Sequence, residues 1–128
     1  PMAFILYGLM FASAVVMALS FNANPWFLTL AVCSISMSVI GVHGILSGTA
    51  TADFAGTRNT GAAVGIVDGA VYLGTGLQSM VIGHITPVGE AAKVAGNWIY
   101  WPLFLIPFSI VGFALAWRIR HALPNKAR

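Results

Sequence analysis

Charge is what this chain lacks most. Asp, Glu, Lys and Arg make up only 7% of its 128 residues, hydrophobic residues make up 59%, and the mean hydropathy is +0.88. A soluble domain so composed could not cover its surface with polar groups, whereas a bilayer asks for no such cover. Acids are scarcest, with Asp53, Asp68 and Glu90 the only three. No HExxH or similar metal-ligand spacing is present, nor a nucleophile-elbow sequence, so the chain is not read as an enzyme and no cofactor or metal is expected. The lone Cys33 lies inside an apolar run; it excludes an internal disulfide and leaves the redox compartment unread. A basic groove with interleaved aromatics is missing too. Arg118, Arg120, Lys126 and Arg128, four of the six basic residues, crowd into the last eleven positions. That clustering is a cytoplasmic flank, not a nucleic-acid surface.

What the chain does have is four apolar runs. The first, 2–21, carries no charge and ends at FNANP, where Asn22, Asn24 and Pro25 predict a tight turn. The second starts at Trp26 and decays into small polar residues near Thr51, before a predicted loop, DFAGTRNT. The third covers 61–85, and the fourth, 98–119, follows the polar connection HITPVGEAAKVAGN. Each holds roughly 20 to 26 residues, and about 20 suffice to cross ~30 Å of hydrocarbon. The expectation is an all-α membrane protein: one transmembrane domain over 1–128, with spans at about 2–21, 26–51, 61–85 and 98–119 and a basic tail at 118–128. Burial of the same helices in a soluble bundle is the weaker alternative. In the fourth span, Pro102 and Pro107 are read as starting and bending the helix. The chain opens on Pro1 directly into an apolar stretch, without a charged leader, and is read as a piece of a longer protein.

With four spans, both ends share one side of the membrane. That side holds Arg58 and the tail's four basic residues, and the opposite side holds only Lys93, so the positive-inside rule places both ends in the cytoplasm. Trp26, Trp98, Tyr100 and Trp101 then mark the outer interface and Trp117 the inner one.

The middle spans carry the polar residues. On a helix, Gly61, Gly65, Asp68, Tyr72, Thr75 and Ser79 recur at steps of three and four and share one face. Gly61, Gly65 and Gly69 form overlapping small-xxx-small steps that let another backbone approach. Asp68 falls about 10 to 12 Å inside the span, where an unpartnered carboxylate costs about 2.5–3.5 kcal/mol. It therefore needs water, a cation, a proton or a basic partner. Tyr72, one turn deeper, is placed to donate to a substrate, as are Thr75, Gln78 and Ser79 with less force. In the second span Ser34, Ser38, Gly41, Gly44, Ser47 and Gly48 make a small-residue face for close packing. His43, nearer the cytoplasmic side, is either satisfied by a neighbouring serine or carbonyl or serves as a proton relay or ligand. Spans one and four, apolar nearly all round, read as peripheral.

The stretch AGTRNTGAAVGIVDGAVYLGTGLQS, with a basic residue ahead of a Gly-x-x-x-Gly helix start and then VYLG, resembles the eleventh helix of major facilitator superfamily transporters. It looks closest to the organophosphate:phosphate antiporter branch. On that resemblance the four spans are helices nine to twelve, the C-terminal third of a twelve-helix major facilitator fold, and the preceding eight helices of the same protein are the implied partner. The resemblance implies a secondary transporter in the plasma (cell inner) membrane, moving a small solute by antiport or proton coupling, with Arg58 in the cytoplasmic loop between helices ten and eleven and Tyr72 turned to the cavity. Two departures stand against phosphate: Asp68 replaces a small residue, and the phosphate-gripping arginines of that branch belong to helices one and seven.

Three other readings compete. A haem-binding anchor would need His43 and His84 on one iron, yet helical rise separates their depths by about 20 Å. A complete four-span exporter relies on a buried glutamate in its first span, and 2–21 contains no acid. An assembly subunit without transport would also use the glycine stripes.

Overall fold

Nearly every described residue is helical. The structure, a computed structural model, describes residues 2–21 and 24–122, apart from the side chain of Thr57. Asn22 of the expected turn, Pro1, and Lys126 and Arg128 of the expected tail lie outside the described residues. Helix α1 covers Met2–Leu19 and α2 covers Pro25–His43; a π-helical segment, Gly44–Ala50, leads into α3, Thr51–Ile85; two 3₁₀ turns, Gly89–Lys93 and Ala95–Ile99, precede α4, Tyr100–Arg118. Four helical stretches, Met2–Leu19, Pro25–Gly56, Arg58–Ile85 and Ala95–Arg118, are long and apolar enough to cross a membrane.

Local chemistry sets the boundaries. Asn24 caps α2, its Oδ1 accepting from the Trp26 N–H at 3.0 Å, and Pro25 takes the first helical position, where a missing N–H costs nothing. Where the sequence predicts the loop DFAGTRNT, the chain stays helical and turns at one residue. Gly56 has φ 69° and ψ 165°, a region that only glycine enters without strain. Arg58 therefore stands two residues past this break, exposed at the start of a helical span rather than in a loop. Between α3 and α4 the chain is tied down: Lys93 pairs with Glu90 at 2.7 Å, and the Trp98 indole donates to the Ala92 carbonyl at 2.9 Å.

Small residues decide which helices meet. In α1, Met10, Ser13, Ala14 and Met17 are buried, the three-and-four spacing of one helical face. They pack on Ala31 and Ile35 of α2, with Trp101, Leu105 and Ile106 of α4 against the cluster. Gly41 admits Leu6, whose Cδ1 would lie 2.9 Å from a Cβ there, and a Cβ at Gly112 would overlap the Tyr7 ring. Buried Ser38 and Ser109 donate to their own helix, to the carbonyls of Ser34 (2.8 Å) and Ile106 (2.7 Å), so neither hydroxyl goes unpaired.

Packing among the four helices is uneven. Among them the first span, expected to be peripheral, lies between its neighbours, α1 packing along both α2 and α4. Its uniform hydrophobicity hid this, because lipid-facing and protein-facing surfaces in a bilayer are equally apolar. Of the expected packing glycines, only Gly41 has a neighbour. A Cβ at Gly44, Gly48, Gly61, Gly65 or Gly69 would meet nothing within 4 Å among the described residues, and no residue from Arg58 to Ile85 is buried. The close approach at Gly112, and the ordinary contact at Gly8, where a Cβ would lie 3.5 Å from the Phe113 ring, carry no sequence pattern, because each is an isolated glycine in an oily helix.

Candidate functional site: a cavity beside the π segment

Gly56 folds the chain back on itself, and residues at comparable distances on either side of it meet. His43 on α2 and Tyr72 on α3 approach edge to face, ring centroids 6.4 Å apart with the planes at 69°. His43 Nδ1 is also 3.2 Å from the Ser47 hydroxyl one turn on. That pairing is the satisfied-histidine arrangement the sequence allowed. It leaves Nε2 without a hydrogen bond among the described residues.

The segment after His43 is wound wider than an α-helix. Seven residues, Gly44–Ala50, form a π-helix, a form found mostly as short insertions and often at functional sites. The Thr51 hydroxyl donates to the Leu46 carbonyl five residues back, supporting the wide turn. Glycines 44 and 48 carry no side chain to crowd it, and each faces open space.

Beside this segment lies a cavity of about 580 Å³, within the range of small-molecule sites. Its polar wall residues are His43, Ser47, Thr75 and Gln78, with the Tyr7 ring from α1; Val42, Leu46, Val71, Phe104 and Phe108 are among the apolar ones. On α3 the wall follows one face: Val71, Gly74, Thr75 and Gln78 step by three, four and seven. Thr75 spends its proton on the Val71 carbonyl at 2.9 Å, and the Ser79 hydroxyl donates to Thr75 O at 2.9 Å. Gln78 has no side-chain hydrogen bond among the described residues.

Of the expected cavity residues, His43 and Thr75 are in the wall and Tyr72 leans on His43 at its margin. Asp68 is not in the wall. It shares the helical face of Thr75 but sits two turns nearer Gly56, below the level where the cavity opens. Its Oδ1 is shielded and has no hydrogen-bond partner among the described residues. Sequence reasoning missed Tyr7, although its hydroxyl is one of only three, with Ser13 and Ser20, in an otherwise apolar run. It ranked Ser47 only as a small packing residue. Among the described residues, no three His, Cys, Asp or Glu side chains gather as a metal site would require. Comparison with protein-family models, with curated proteins and with solved structures returns no match for this chain.

Proposed function

We propose that this chain is part of a secondary transporter for small solutes and forms one wall of its central pathway. The reading rests on a ligand-sized cavity set beside an interrupted helix, within four helices fit to cross a bilayer. Transporters characteristically build their sites from discontinuous helices, because non-helical backbone is tolerated at membrane depth only beside protein or water. The π segment and Gly56 supply two such irregularities, one at the cavity and one at the turn below it. The resemblance to helices nine to twelve of the major facilitator superfamily supports the same reading. It further proposes partner helices from the same protein, a plasma-membrane location and cytoplasmic ends.

In this scheme His43 and Tyr72 shape the ligand's margin, and Thr75 and Gln78 face it. Asp68 is the coupling group: its shielded oxygen takes a proton, a cation or a basic residue as the pathway changes face. Arg58 contributes to the cytoplasmic positive charge.

One observation favours a second reading. The open glycine row Gly61, Gly65 and Gly69 suits docking of another helix, as in an assembly subunit. Proteoliposomes containing the native gene product, preloaded with cell extract, separate the two, with solute release followed by mass spectrometry. Saturable, protein-dependent release of one solute class is expected of a carrier. Release identical to that from protein-free vesicles would favour the assembly subunit.

A further inference from the structure

The lining of the cavity says what kind of ligand group can rest on it. Among the described residues, none of its wall residues is Asp, Glu, Lys or Arg. An ionised group placed there would lose its hydration with no carboxylate, ammonium or guanidinium to replace it, which in an apolar site costs far more than a hydrogen bond returns. On α3, Arg58 lies in the first turn after Gly56, thirteen residues from Val71, or about 20 Å by helical rise. The wall's own polar groups are also unequal. Thr75 and Ser47 already have partners and His43 is engaged at Nδ1 alone, whereas the Gln78 amide and the Tyr7 hydroxyl have none among the described residues; of these two, only the amide offers separate donor and acceptor atoms.

From this apolar wall, which holds no Asp, Glu, Lys or Arg among the described residues and carries the unspent Gln78 amide, we infer that the cavity takes the uncharged, apolar body of its ligand, held by a hydrogen bond from Gln78. The inference rests on the transporter reading only for its purpose, since binding at this wall stands or fails by itself. It narrows the substrate class: a neutral amphiphilic solute is accepted here, and an organophosphate or carboxylate against this wall is refused. Specificity of this kind arises mainly from what is left unpaired. A site built around one amide discriminates by the cost of leaving that amide, or an ion, without a partner.

Three probes with the same body and different charge test it: 4-butylbenzamide, 4-butylbenzoate and 4-butylphenyl phosphate. The reporter is Val71→Cys in the native gene product with Cys33→Ser, the rate of thiol labelling being measured with and without each probe at equilibrium in detergent. The amide is expected to protect the thiol, with the two anions at least tenfold weaker. Gln78→Leu should weaken the amide's protection about three- to tenfold, the worth of one hydrogen bond. Val81→Cys serves as a second reporter should Val71→Cys fold poorly. Equal or stronger protection by either anion overturns the inference, as does protection unaffected by Gln78→Leu. A thiol that never labels also overturns it, because the cavity would then be filled by lipid or protein. None of these readouts requires transport, so their failure leaves the transporter proposal to its own test.

Discussion

At the residue scale, Asp68 carries the sharpest expectation. A carboxylate with one oxygen shielded, and without a partner among the described residues, needs a proton or a cation at some stage of the cycle. Asp68→Asn keeps the shape and removes the charge, so it is expected to abolish or uncouple transport while membrane insertion is retained. Uptake and proton stoichiometry equal to the unmodified protein would contradict that role. Tyr72→Phe removes a hydroxyl that has no partner among the described residues and keeps the ring against His43. Substrate affinity should fall with little loss of stability; unchanged affinity would return Tyr72 to packing. Gly112 is a structural counterpart. A methyl group there collides with the Tyr7 ring, and overpacking of this kind costs about 1–3 kcal/mol, whereas Gly8→Ala meets Phe113 at ordinary contact distance. Thermal unfolding in detergent should show Gly112→Ala clearly destabilised and Gly8→Ala little changed.

At the element scale, what could be read from the sequence depended on which residues did the work. The four spans were legible because apolar length alone dictates them, whereas Asn24 and Pro25, read only as part of a tight turn, cap and open α2. The π segment was not legible. GILSGTA looks like any small-residue stretch, and winding one residue wider leaves no mark in composition. The turn at Gly56 was expected as an eight-residue loop, because polar residues and a charge in DFAGTRNT suggest one; a single left-handed glycine does the same task. Gly56→Ala should therefore cost about 1–3 kcal/mol in stability. A variant as stable as the parent would mean that the turn relaxes into ordinary helix. Of the site, His43 and Thr75 were legible as polar residues in oily spans, but their meeting with Tyr7 was not, since periodicity within one helix is silent about its neighbours.

At the scale of the whole molecule, packing is lopsided. Helix α1 holds both α2 and α4 through small residues, while 58–85 has no buried residue. A bilayer supplies no hydrophobic drive for helix association, so close-packed small residues and polar contacts must provide it. The open glycine face of α3 and the cavity beside it are where such contacts remain to be made. Where the start of α1 meets the end of α4, Phe4 and Phe113 surround Trp117, and Arg120 sits 3.9 Å over the indole ring. An aromatic anchor capped by a basic group fits an interface facing the cytoplasm. The orientation proposed from charge implies that Lys93 is modified by an impermeant amine reagent only from outside the cell. Modification only from inside would invert the topology.

The central claim is that water and solute reach the cavity from one side of the membrane and then the other. Thr75→Cys, with Cys33→Ser, tests it when a membrane-impermeant thiol reagent is applied to right-side-out and to inside-out vesicles carrying the native gene product. Labelling from both faces is the expected result. Labelling from neither, with the protein inserted and folded, would contradict the account and leave a set of helices built only to pack.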